Sequence, residues 1–282
     1  MIKLGRKMII VFLALLAFIA CYPVLFLAVG SLMEKQEVRE ALGGILSGGS
    51  EFVSWRFVPL YPTLASWVEL MLDSPQFFVM FWNSVRLTAG VLLGQLVIAV
   101  PAAWGFARYD FPLKRILFMV YVILMMMPFQ VTMLSGYLVL SGLRLLDTYG
   151  SIWLPGIFST FPVFIMYRFF RGIPGAVIES AKLDGAGDLQ IFFYLGLPLG
   201  SGGIVSAMVL GFLEYWNLIE QPLAYLKDPS LWPLSLYLPN IGLEEAGLAF
   251  CASVTVLIPA LFAFFAGQDY LEQGIVAAAV KE

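Results

Sequence analysis

The chain has 282 residues, of which 61% are apolar and only 12% charged, with a net charge of −3. A soluble domain of this length carries about twice that charged fraction and cannot hide so much Leu, Ile, Val and Phe, so the composition points to the bilayer as solvent. There is no histidine, and both cysteines, Cys21 and Cys251, lie in apolar runs, which argues against His- or Cys-based metal sites, thiol–imidazole catalysis and a disulfide framework.

At the N-terminus, Lys3, Arg6 and Lys7 precede an apolar run over 8–32. A signal peptide has that charge pattern, but its apolar region covers only about 7–15 residues, whereas a spanning helix needs roughly 20. Phe18-Ile19-Ala20-Cys21 has a faint likeness to a lipoprotein cleavage box, yet the apolar run continues to Val29, so a retained first helix is expected. Residues 33–76 form an interval with Gly43-Gly44, Gly48-Gly49, Pro59 and Pro62 as breakers, expected as a Gly-rich extracytoplasmic loop. Within it, Leu46-Ser47-Gly48-Gly49-Ser50 looks like the signature of ABC ATPases. No G-x-x-x-x-G-K-[ST] phosphate loop exists in the chain, so that likeness carries no nucleotide chemistry.

Further apolar runs follow at 77–107, 116–140, 151–170, 203–223 and 248–266. The first is too long for an untilted span and is expected to tilt or to kink at Pro101. Pro128 lies inside the second, and Glu214, Asn217 and Glu220 interrupt the fourth. A small-residue tail ends at Lys281-Glu282. The expected fold is an all-α integral membrane protein, a single transmembrane domain over 1–282 with six spans and both termini on one side. Lys3, Arg108, Lys114, Arg171 and Lys182 fall on that side, whereas the acid-rich opposite loops hold Lys35, Arg39, Arg56, Arg144 and Lys227. The positive-inside rule therefore predicts cytoplasmic termini and a cytoplasmic segment over 172–200. Apolar runs without strand alternation exclude an outer-membrane barrel.

The 172–200 segment keeps four ionisable residues, Glu179, Lys182, Asp184 and Asp188, within ten positions of an oily chain. Pro174 suits the first position of a short helix, where its missing N–H has no partner to lose. From Gly175 to Asp184 that helix places Val177, Ile178 and Ala181 on one side and Glu179 near Lys182 on a wetter side. Ser180, Ala181, Gly185 and Gly187 are small enough for another backbone to approach. Gly185 can end the helix in the left-handed conformation, Asp188 can cap the next helix, and Gly196-Leu197-Pro198 is expected to break it. The pattern reads as a stiff helix–turn–helix between two spans; a solvated interfacial loop is the plainer alternative.

Glu179-Ser180-Ala181-Lys182-Leu183-Asp184-Gly185-Ala186, with Ile191 and Leu197-Pro198 after it, resembles the EAA loop of binding-protein-dependent ABC importer permeases, closest to the carbohydrate form E-A-A-x-[IL]-D-G-A. Asn83-Ser84-Val85, Ala102 to Arg108, Met127-Pro128-Phe129-Gln130, Phe170 to Pro174, Trp216-Asn217, Pro222-Leu223 and Ala279-Val280-Lys281 match family landmarks in order, so the likeness covers roughly residues 77–282. Leu218 stands where an Asp often follows the Trp-Asn pair, and the chain closes on Ala278-Ala279-Val280-Lys281-Glu282. The resemblance implies a maltose-type permease: a six-span transporter subunit, not an enzyme, in a prokaryotic cytoplasmic membrane. Its implied partners are a second homologous permease, two ATPase subunits that bind the ATP and Mg, and an extracytoplasmic sugar-binding protein, with no nucleic acid. It assigns ATPase coupling to Glu179, Ser180, Ala181, Lys182, Asp184, Gly185, Ala186 and Gly187.

Polar groups within a span face protein or water, because a central charge costs about 2.5–3.5 kcal/mol. Asn83, Arg86, Gln95, Gln130, Thr132, Ser135, Glu214, Asn217 and Glu220 are such groups, with Phe129, Tyr137, Tyr215 and Trp216 as aromatic neighbours. As a translocation path the selection is Asn83, Phe129, Gln130, Glu214, Tyr215, Asn217 and Glu220; the alternative for each is helix–helix joining. Two other functions stay open: a secondary transporter coupling ions through Glu214 or Glu220, and an importer of a non-sugar solute such as a glycerol phosphate.

Overall fold

The computed structural model describes residues 2–46, 58–237 and 245–279, with side chains for 7–44, 58–237 and 245–271. Gly48-Gly49 with the rest of the ATPase-like Ser47–Ser50, Arg56, and Val280-Lys281-Glu282 lie outside the described residues, as does the side chain of Lys3. Among the described residues every regular element is a helix: α1 (Ile2–Gly30), α2 (Lys35–Leu46), α3 (Ala65–Leu72), α4 (Pro75–Arg108), α5 (Lys114–Met126), α6 (Phe129–Gly142), α7 (Gly150–Ile157), α8 (Thr160–Gly172), α9 (Gly175–Leu183), α10 (Asp188–Ile191), α11 (Leu197–Leu199), α12 (Ser201–Trp216), α13 (Glu220–Tyr225) and α14 (Ala246–Ala279).

Lys7–Gly30, Pro75–Arg108, Gly150–Gly172 and Ala246–Leu271 are long and apolar enough to cross a membrane. Two bent pairs of apolar helices, α5 with α6 at 107° and Asp188–Leu199 with α12 at 67°, bring the number to the six expected when each pair is counted as one span. The apolar side chains of α1 from Met8 to Ile19 stay exposed, the surface that lipid solvates.

Several boundaries differ from expectation. The interval 33–76 is not a continuous loop, because α2 and α3 fold within it and Gly43-Gly44 sit inside α2. α4 runs unbroken through Pro101. The run 116–140 is two helices. Pro128, at φ −68°, restricts the residue before it, and Met127 takes an extended φ −77°, ψ 123°. The 203–223 run ends early, at Trp216: Asn217 caps α12, and its Nδ2 donates to the Leu213 carbonyl at 2.9 Å, a local bond that competes with continuing the helix. α14 starts at Ala246 and continues as a helix to Ala279, past the span that ends at Leu271.

The chain divides into two compact units. In the first (Met1–Phe78, Tyr237–Pro259) the Glu37 carboxylate is buried and accepts the backbone N–H groups of Leu60 (2.8 Å) and Tyr61 (3.3 Å), fixing the return of the chain over α2. Lys35 and Glu69 pair at 2.9 Å between α2 and α3, an exposed contact contributing about 0–1 kcal/mol.

The second unit (Val79–Leu236, Ala260–Glu282) has two apolar centres. One gathers Ala103, Trp104 and Phe106 of α4, Met166 and Phe170 of α8, Ile173, Ile191, Phe192 and Ala207 of α12. The other joins Leu87, Leu140, Ile152, Tyr225 and Leu226, with Phe129, Tyr137 and Trp232 against them. The first centre carries the 172–200 segment and the second the polar residues of α6 and α13.

Candidate functional site

The 172–200 segment folds as a helix–turn–helix whose ends are set by backbone chemistry. Pro174 precedes α9 with ψ 136°, so it is the cap and Gly175 the first helical residue, one position later than expected. At the other end the Gly185 N–H donates to the Lys182 carbonyl and the Ala186 N–H to the Ala181 carbonyl, both at 3.0 Å. These are the two bonds of a Schellman motif, which needs a left-handed residue. Gly185 supplies it at φ +86°, with open space around its Cα.

Gly187 caps α10 and Asp188 is its first residue, so the expected Asp188 cap is displaced by one position. The Gln190 side chain accepts the Gly187 N–H at 2.9 Å instead. Lys182 pairs with Asp188 across the turn at 3.8 Å, where the sequence placed Glu179 beside it. Nor does the chain break at Gly196-Leu197-Pro198. The π-helical turn Phe192–Gly196 leads directly into α11, and the bend falls at Gly200. A wide turn of this kind tolerates the donor that Pro198 lacks and recurs at functional positions.

Ile178, Ala181 and Ala186 pack onto the core beneath, whereas Glu179, Ser180, Lys182, Asp184, Gly185 and Gly187 are exposed. Large apolar side chains are exposed with them: Leu183 at 89%, Leu189 at 74% and Tyr194 at 76%. Between the two helices lies a groove of about 460 Å³, lined by Ala181, Asp184, Gly185, Ala186, Gln190, Ile191, Tyr194 and Leu195. Small residues (Ala181, Gly185, Ala186) line it beside apolar Ile191, Tyr194 and Leu195 and polar Asp184 and Gln190, a mixed lining that can receive a protruding side chain.

The landmark Ala102–Arg108 contributes two residues whose role the sequence left unread. The Arg108 Nη2 donates to the carbonyls of Phe170 (2.5 Å) and Ile173 (2.6 Å), and its guanidinium lies 5.5 Å from the Trp104 ring centre. Trp104 is buried edge-on to Phe170. The available signal was a Trp–Arg pair one helical turn apart at the end of an apolar run.

The path residues divide. Gln130 of α6 donates to Glu220 of α13 at 2.5 Å, a pairing across 90 positions that spacing could not show. Phe129 meets Tyr225 edge-on at 5.8 Å beside it. Glu214, Asn217 and Glu220 are exposed, as is Arg86. Asn83 and Tyr215 are buried. The Asn83 amide donates to the Ser230 (2.7 Å) and Trp232 (3.0 Å) carbonyls and accepts the Tyr149 hydroxyl at 2.7 Å. Asn83 thus makes the helix-joining contacts that were the alternative. Gln95 does likewise, donating to the Gly156 carbonyl at 2.8 Å.

In the loop after α13, Asp228 accepts the Ser230 N–H at 2.9 Å, which holds its carboxyl below the usual carboxylate range. Among the described residues no group of three or more Asp, Glu or Cys side chains could hold a metal ion.

Residues 95–277 match the family model described as a binding-protein-dependent transport system inner membrane component. The arabinooligosaccharides transport system permease protein AraQ of Halalkalibacterium halodurans is 26% identical over 95% of this chain and 94% of its own. The osmoprotective compounds uptake permease protein GgtD of Synechocystis is 30% identical over 94% and 89%. A chain of a bacterial ABC transporter involved in the import of the acidic polysaccharide alginate superposes with a TM-score of 0.79 at 20% identity, over 95% of this chain and 96% of that one; this likeness concerns the fold. With the family model spanning well over half its length, the chain belongs to the binding-protein-dependent transport system inner membrane components.

Proposed function

We propose that this chain is one of two permease subunits of an ATP-driven importer that moves a sugar, an oligo- or disaccharide, across a prokaryotic cytoplasmic membrane by alternating access. One observation carries the reading. A stiff, outward-facing helix–turn–helix with an apolar rim and a groove of about 460 Å³ sits between two apolar spans of a chain without a phosphate loop. Such a chain takes its energy from a partner. A separate ATPase, holding ATP and Mg itself, docks on Glu179–Gly187 from the cytoplasm, one copy per permease, and an extracytoplasmic binding protein delivers the solute. The bland alternative, a solvated loop, does not account for large apolar side chains in water.

The solute path runs past Phe129, Gln130, Glu214, Asn217 and Glu220. Carboxylates and amides accept and donate to sugar hydroxyls, each bond worth about 0.5–1.5 kcal/mol net, while the Phe129 ring offers an apolar face. A relative named as an sn-glycerol-3-phosphate transport system permease protein, 26% identical over 74% of this chain, favours a second reading, a glycerol phosphate on the same path.

The tagged chain, purified from the membranes of its host, should bring ATP hydrolysis with it. Gly185→Asp, or Glu179→Lys with Ala181→Asp, should strip that activity while the chain stays folded in the membrane. ATPase retained at the wild-type level on both variants would refute the docking assignment. Uptake of labelled maltose or lactose in competition with glycerol 3-phosphate then separates the two solute classes.

A further inference from the structure

We propose that Trp104 and Arg108, one turn apart on α4, form the joint through which motion of the coupling loop enters the spans, with Arg108 as a positioning residue. The inference rests on the coupling reading above.

The entry arm of the loop is held by Arg108. Its Nη2 donates to the carbonyls of Phe170 and Ile173 at 2.5 and 2.6 Å; the first also accepts the Ile173 N–H at 3.3 Å, and the second lies past the end of α8. Bonds from a guanidinium are roughly twice as strong as neutral ones. Ile173 is buried at 6% exposure and extended (φ −69°, ψ 126°), the conformation that the following Pro174 enforces. Fixed φ at Pro174, a buried Ile173 and two clamped carbonyls leave α9 no free swivel against α8.

The exit arm is held by Trp104. Its ring, 4% exposed, lies 5.4 Å from that of Phe170 and 5.7 Å from that of Phe192. Gly196 and Gly200 make room for this contact. A Cβ on Gly196 would stand 2.8 Å from the Trp104 ring, and one on Gly200 2.2 Å from the Phe170 ring. The Arg108 guanidinium over the Trp104 ring, at 5.5 Å, links the two grips. Both arms therefore end on a single turn of α4. A close-packed interior is stiff, so displacement of α9 and α10 carries α4, α8 and α12 with it.

A plain helix cap at Arg108 would alter stability alone; a joint also sets how far the spans respond to each ATP. The test uses the importer purified as a whole, carrying Cys21→Ser and Leu223→Cys, with ATP plus vanadate as the driving probe and a maleimide reporting exposure of position 223. Vanadate-induced change in labelling rate and hydrolysis rate are measured on equal amounts of assembled complex. In Arg108→Met the labelling change should shrink roughly two- to thirtyfold, the span of ordinary coupling energies, while hydrolysis persists. Arg108→Lys should be intermediate, because an ammonium lacks the planar fork. Pro174→Gly, exposed and outside the core, removes no group that Arg108 bonds but frees the backbone after Ile173; it should shrink the change as well, and it decides alone if Arg108→Met does not assemble. An unchanged labelling response in Arg108→Met and Pro174→Gly overturns the proposal, and so does a loss of labelling change and hydrolysis in equal proportion. Retained ATPase on Gly185→Asp would instead defeat the coupling reading itself.

Discussion

Gly185→Ala and Gly187→Ala change the same chemistry two positions apart in the loop and should differ in effect. At Gly185 the backbone sits at φ +86°, and a Cβ there would meet nothing within 4 Å. The penalty is therefore conformational, about 1–2 kcal/mol for an L-residue forced left-handed. At Gly187 φ is −74°, ordinary for any residue, and a Cβ would meet only the Gln190 Oε1 at 3.8 Å. The turn is exposed and lines the groove proposed for docking, so its strain should appear as a smaller population of the competent conformation. Apparent affinity scales with that population, and about 1–2 kcal/mol corresponds to a loss of roughly five- to thirtyfold. Titrating purified ATPase onto the chain in detergent micelles, with binding read by fluorescence anisotropy, measures both variants. Gly187→Ala should lose no more than about two- to fivefold, since replacing Gly by Ala at a helix N-cap costs only about 0.5–1 kcal/mol. Equal losses in the two variants, or a silent Gly185→Ala, would refute the argument from φ.

Asn83→Ala should lower thermal stability in detergent, because it strands the Ser230 and Trp232 carbonyls and the Tyr149 hydroxyl; each unmet buried group costs about 1–3 kcal/mol. Differential scanning fluorimetry reads the loss, and an unchanged melting point would remove Asn83 from the framework. Asn217→Ala, at an exposed cap, should leave assembly and ATPase binding intact while lowering the rate of labelled-sugar uptake. Wild-type uptake kinetics would take Asn217 off the path.

Spans were legible in the chain because apolar length is a local property that needs no partner to be read. The turn at Gly185 was legible for the same reason. A Gly at the end of a short helix, followed by a small residue, has few conformations to choose from, and Gly185 takes the expected one. Cap positions slipped by one at Pro174 and Gly187, where two neighbouring residues can each close the helix. Pro128 marked a disturbance in the third span, but a proline alone does not set a bend of 107°; α6 turns to lie on α13. Asn83 and Gln130 look alike in sequence, two polar residues in apolar runs. Only the fold puts one inside a three-bond network and the other at the surface, against Glu220.

The sequence by itself determined the apolar helices and the place of the turn at Gly185, since hydropathy and turn chemistry act over a few residues. The tertiary structure decided what grips that turn. Trp104 and Arg108 lie more than sixty positions from the carbonyls and glycines they hold, and such a contact exists only once α4, α8 and the π-helical turn have packed together.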